Sequence, residues 1–260
     1  MSDYIATSET QRDPQIVSDY TKDAKYTKLM EKLASYADII AKSAFFAESQ
    51  KTFRRKFTQI RCLALGSPSQ SNNALYQLAY LQELARVLEV CRISVCDPVF
   101  SDLDIFLFQK LKYPVELHFD NTEPEETLYF MPHAPLELTD VILINEKPHH
   151  VLANNIISHT DRFTKLKLHE TYPVIALLVK LTESEPKNGP TDDGFSKPKK
   201  RRNKLAYSEP KIDYDFNHPN CYFDKVEIVP FQQNFNKGDP WGTSFSDLAY
   251  HNIGVKKPSS

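Results

Sequence analysis

Glycine is scarce in this chain, with six residues among 260. The shortage bears first on "CLALGSPSQSNNALYQLAYLQEL", residues 62–84, where an apolar run enters a turn and a helix follows. A dinucleotide fingerprint needs three glycines, for a tight turn, a close pyrophosphate and a close helix. Here only Gly66 is present. No Gly-Lys-Ser/Thr occurs, which excludes a Walker phosphate loop, and no G-x-S-x-G elbow supports a serine hydrolase. Cysteine is sparse too. Cys62, Cys91, Cys96 and Cys221 have no metal-ligand spacing, so no metal is expected. The first three lie in or beside strand-like runs, where cysteine acts as a small buried hydrophobe. That usage points to a reducing, intracellular compartment without disulfides. Net charge almost cancels at −2, which argues against a general nucleic-acid binder. No stretch reaches the ~18 apolar residues that span a bilayer. The opening MSDYIATSETQRD has no apolar core, so neither a membrane span nor a signal peptide is expected.

What is present is globular: 41% hydrophobic and 25% charged residues, enough for one large core with appendages. Residues 1–25 are polar and expected to be flexible. From Lys25 to Phe53, Leu29, Leu33, Tyr36, Ile39, Ile40 and Phe46 recur at helical spacing. "KTFRRKF" reads as a solvated helix end, with anion capture as the alternative. Ile60–Leu65 predicts a strand, residues 72–89 a helix, and "CRISVCDPVF" a second strand ending at Asp97. "SDLDIFLFQKL" opens with a Ser-x-x-Asp capping box and continues as a helix. "YPVELHF" and "TLYFMPH" predict a third and fourth strand, and residues 154–160 a fifth. "LELTDVILINE" and "YPVIALLVKLTE" fit helix or strand by composition. From 183 to 211 the chain turns to Pro, Lys, Asp, Ser and Gly, as in a disordered basic insertion. "YFDKVEIVPFQ" and "FSDLAYHNI" read as two closing strands. Alternating strands and helices predict an α/β, Rossmann-like three-layer sandwich with a helical N-terminal extension. Its sheet would be mostly parallel, of about six or seven strands. Residues 26–182 and 212–256 would form a single domain.

In such a sheet, ligands bind beyond the carboxyl ends of the strands. Gly66, Ser67 and Ser69 would gather there, with Asp97, His133, His159, Thr160 and Asp161. Asp97 lies 31 residues past Gly66 and could hold ribose hydroxyls. Two readings stay open for this pair: a ligand site, or a structural turn with a strand cap. His133, after Pro132, is a candidate general acid or base, or a ring bonded to a neighbouring loop. His149 and His150 read as surface-loop histidines. "KPKKRRNK" holds Lys197, Lys199, Lys200, Arg201 and Arg202, which suit a nuclear-import patch or a solubilising charge block.

Four motifs in order carry a family resemblance: Leu65-Gly66-Ser67, Gln77-Leu78-Ala79, Asp97-Pro98-Val99-Phe100 and Met131-Pro132-His133. With the Phe-x-Asp-x-x-aromatic-His element at 245–251, they resemble the SRR-like family, named for sensitivity to red light reduced. Ala134 stands where that family often has cysteine. The resemblance reads "LELTDVILINE" as a helix. It implies a regulatory, non-enzymatic protein of the cytoplasm and nucleus, with protein partners of unknown identity. Plant members are linked to circadian and light signalling, fungal members to microtubule stability. The alternative is a Rossmann-like small-molecule-binding enzyme, such as an S-adenosylmethionine-dependent methyltransferase. In that case Gly66 and Ser67 would position the cofactor, Asp97 would bind its ribose and His133 would act near the reacting group.

Overall fold

The computed structural model describes residues 19–119, 121–184, 211–231 and 239–256. The expected flexible N-terminus falls mostly outside these residues. The basic insertion with Lys197, Lys199, Lys200, Arg201 and Arg202 lies outside them as well.

Six strands form one sheet in the order β2-β1-β3-β4-β6-β5. They are β1 (Gln59–Leu63), β2 (Arg92–Cys96), β3 (Thr127–Met131), β4 (His150–Asn154), β5 (Phe223–Pro230) and β6 (Leu248–Val255). β1 to β4 pair in parallel, and β6 runs antiparallel to both β4 and β5. Alternate side chains serve opposite faces, as strand geometry requires. Ile60, Cys62, Leu128, Phe130 and Leu152 join one core. It is covered by α1 (Ala24–Ala41), α2 (Ala44–Ser49), α3 (Asn72–Val87) and α4 (Asp102–Leu111). Leu63, Tyr129, Met131, Val151 and Ala153 join the other. That face is covered by α5 (Leu136–Asn145), α6 (Ile156–Thr160), α7 (Lys165–Thr171) and α8 (Pro173–Ser184). The molecule is therefore the expected α/β sandwich, with a sheet of six strands and helices at its N-terminal side.

Four expectations need correction. "YPVELHF" is not a strand: it touches the sheet through one bridge, Val95 to Val115. Lys112 ends α4 in the left-handed region, and Pro114 has no N–H to offer a ladder. Residues 156–160 form α6, and β4 lies just upstream. The β-branched pair Ile156-Ile157 is overruled by two caps. Asn155 accepts from the Ile157 N–H at 3.0 Å, and His251 Nε2 from the Ile156 N–H at 3.2 Å. Cys91 is exposed rather than buried. His150 is buried in β4, where Tyr250 Oη meets its Nδ1 at 2.8 Å. Burial, aided by Arg55 and His149, brings it down to about 4.

Asp140 on α5 is 4% exposed and accepts from the Ile175 N–H at the start of α8, while its Oδ1 has no partner. Burial raises its carboxyl from 3.8 to about 6. Folding therefore takes up a proton between those values. The group's contribution is fully present below 3.8 and is lost as pH rises through about 6. Asp140→Asn is expected to flatten the pH profile of stability across this window. It should also add about 2 kcal/mol at neutral pH. Urea melts at mildly acidic and neutral pH check both.

Candidate ligand site at the strand ends

The chain leaves β1 toward β2 on one side and returns to β3 on the other, so the switch in strand order falls between β1 and β3. Outside the carboxyl ends of such a pair the flanking loops part and leave a crevice. Gly66 follows β1 and His133 follows β3, one on each side of this switch.

The β1 turn is unusual backbone. Ala64 has φ 51° and Gly66 φ 77°. A left-handed alanine is uncommon and costs energy that surrounding contacts must offset. Asp97, at the end of β2, supplies one such contact: its Oδ2 accepts from the Gly66 N–H at 2.8 Å. Its Oδ1 accepts from the Val99 N–H at 3.0 Å. Asp104 supplies the rest. It is fully buried and closes the capping box of α4, accepting from Ser101 N and Ser101 Oγ at 2.9 and 2.7 Å. It also accepts from Ser67 Oγ at 2.5 Å and Ser69 N at 2.8 Å. Ser69 Oγ meets Ser101 Oγ at 3.0 Å. The two serines of the turn are thus tied into the α4 cap.

His133 is an exposed residue, but its Nε2 edge turns inward onto Gln77 Nε2 at 2.8 Å. Gln77, on α3, is 0% exposed, and its Nε2 also donates to Ser244 O at 2.7 Å. With Gln77 donating to ring Nε2, the His133 proton sits on Nδ1. Partial burial lowers the His133 pKa, and the nearby Asp97 carboxylate acts in the opposite sense. Gln77 Oε1 and Trp241 Nε1 are buried without a partner among the described residues. Such atoms call for an explanation in a native fold. The segment carrying Trp241 and Ser244 lies over the start of α3, where Ser244 Oγ donates to Asn73 Oδ1 at 3.1 Å.

A second group stands at the ends of β3 and β4. Tyr172 Oη donates to Glu137 Oε1. Burial and the Arg162 charge lower His159, while Asp247 and Glu137 act to raise it. Among the described residues, no group of three or more His, Cys, Asp or Glu is placed to hold a metal ion. No described helix is long and apolar enough to cross a membrane.

The structure thus brings Gly66, Ser67, Ser69, Asp97 and His133 to one edge of the sheet. It engages both serine hydroxyls and both Asp97 oxygens in internal bonds. Asp104 carries much of the site's order, and the capping box that revealed it in the sequence gave no hint of its bonds to the β1 turn. Gln77 lies in the Gln-Leu-Ala motif, which marked its position but not its contact with His133.

This architecture and edge define a Rossmann-like α/β protein. The chain belongs to the SRR1 domain family, whose model matches residues 28–252. It is 27% identical over 142 residues to an SRR1-like protein of Drosophila melanogaster, covering 51% of this chain and 51% of that protein. The chain spans about half the length of that relative. Two solved structures of the plantazolicin methyltransferase BpumL in complex with SAH, one also holding a monoazolic desmethylPZN analog, cover 92% of this chain. The match takes in 94% of each of those chains, at 12% identity and TM-scores of 0.34 and 0.35.

Proposed function

We propose that this SRR1-family chain is a small-molecule-binding protein whose β1–β3 switch takes a nucleoside-type ligand without phosphates, of the S-adenosylmethionine class. The observation that carries this reading is the convergence of Gly66, Asp97 and His133 on that switch. The residues fit such a ligand in three respects. Asp97 is half-exposed and keeps lone pairs beyond its two backbone bonds, enough for ribose hydroxyls. Gly66 presents no side chain. His133 is exposed, and with Nε2 taken by Gln77 its Nδ1–H is the ring's remaining donor. The same geometry disfavours phosphates, because Ser67, Ser69 and Asn73 are engaged within the protein and only one glycine lines the turn. An S-adenosyl ligand would supply an activated methyl group.

The second reading is a regulatory member of the cytoplasm and nucleus, acting through protein partners in cytoskeletal, circadian or stress signalling without turnover. It is favoured by His133 Nε2 being occupied by Gln77, which removes the ring's basic nitrogen.

Calorimetry of the full chain with S-adenosylmethionine and S-adenosylhomocysteine tests the site. Saturable heat is expected with both, and none with nicotinamide dinucleotide. His133→Ala should weaken binding by about tenfold, the loss of one polar contact, and should lower stability by about 1 kcal/mol, because a Gln77 N–H loses its acceptor. Heat from the dinucleotide alone, or from neither class, would remove the proposal.

A further inference from the structure

Arg61, in the middle of β1, is 1% exposed. Its partners are neutral: Nη1 donates to Ser94 Oγ at 3.2 Å and Nη2 to the Glu116 carbonyl at 2.9 Å. The guanidinium stands 5.0 Å from the Phe119 ring centre, and its Nε has no hydrogen-bond partner. No carboxylate of a described residue forms an ion pair with it. Glu146 feels the charge through space, but its Oε2 is held by Tyr129 Oη at 2.8 Å. Buried charges in proteins are ordinarily paired, because desolvation without a counter-charge is expensive.

The three residues that hold Arg61 are also the wall of an open cleft. Ser94, Glu116 and Phe119 line a space of about 570 Å³ along the amino halves of β1 and β2. Arg92, Lys112 and His118 line it too. Arg92 is paired with Glu123 at 2.5 Å, and Glu116 is the acidic side chain in the wall. The cover over Arg61 is the Tyr113–Phe119 segment, the one expected as a strand and found tethered to β2 by a single bridge. This cleft lies away from Gly66, Asp97 and His133, which follow the opposite ends of the strands.

We propose that this cleft is a second binding site, for a small molecule bearing a carboxylate or phosphate, with Arg61 as its buried counter-charge. The anion seats against Ser94 Oγ and Lys112. There it draws on the unpaired guanidinium behind the wall, whose field is weakly screened inside the protein. A phosphate or carboxylate supplies the negative charge that the guanidinium lacks.

The probes are inorganic phosphate and malonate, titrated into the full chain by calorimetry and thermal melts against chloride of equal ionic strength. A saturable response to one of them is expected, and which one responds separates the two chemistries. Arg61→Met should weaken it at least about tenfold, since the buried counter-charge behind the wall is lost. Lys112→Ala and Ser94→Ala should each weaken it severalfold. If the Arg61 variant does not fold, these two substitutions are the test. Asp97→Ala, at the other site, should leave the response intact. No response beyond chloride, or wild-type affinity in both Lys112→Ala and Ser94→Ala, would overturn the proposal.

Discussion

Asp104→Ala is expected to lower the unfolding free energy by about 3–4 kcal/mol, the cost of leaving several buried donors without an acceptor. The carboxylate is 0% exposed and receives Ser67 Oγ, Ser69 N, Ser101 N and Ser101 Oγ. Removing it undoes the N-cap of α4 and the anchor of the β1 turn together. Asp104→Asn keeps the shape but turns an amide donor toward other donors, and should recover only a minor part. Urea denaturation reads both as a shift in midpoint at constant slope. A loss below about 1 kcal/mol would mean that water replaces the carboxylate and that the turn does not depend on it.

Asp97→Ala is expected to abolish measurable S-adenosyl binding, a loss of at least about a hundredfold. It removes the acceptor proposed for the ribose and releases the Gly66 N–H that the carboxylate holds at 2.8 Å. Stability should fall by about 1–2 kcal/mol, because Asp97 is half-exposed and water can reach the freed N–H groups. Asp97→Asn separates these roles. Its amide oxygen still accepts from the backbone, so stability should largely return while affinity stays well below wild type. If Asp97→Asn binds as tightly as the parent chain, the carboxylate acts only as a strand cap and the structural reading of the turn prevails.

Local rules are sufficient where the decisive contacts are local. The Ser101–Asp104 box, the helix that follows the β1 turn and the apolar runs of β1 and β2 are properties of neighbouring residues, and each appears at its expected place. Alternating strands and helices imply parallel strands, so the gathering of Gly66, Asp97 and His133 at one edge is also legible. The failures trace to partners far along the chain. Nothing near Ile156 announces that a histidine 95 residues later will accept its N–H and start a helix there. His150 adjoins loop residues in sequence, yet Tyr250, 100 residues on, encloses it. Arg61 sits in a run that reads as an ordinary strand. Its burial depends on Glu116 and Phe119, 55 and more residues away, in a segment whose own composition suggests a strand rather than a cover.

The most direct measurement is amide-resolved NMR of the full chain during titration with S-adenosylhomocysteine. A ligand seated at the β1–β3 switch should move the backbone amides of Gly66 and Val99, which bond Asp97, together with the ring signals of His133. Signals around Arg92 and Ser94 should stay still. Shifts confined to that distant cleft, or no saturable shift at Gly66, would contradict the site.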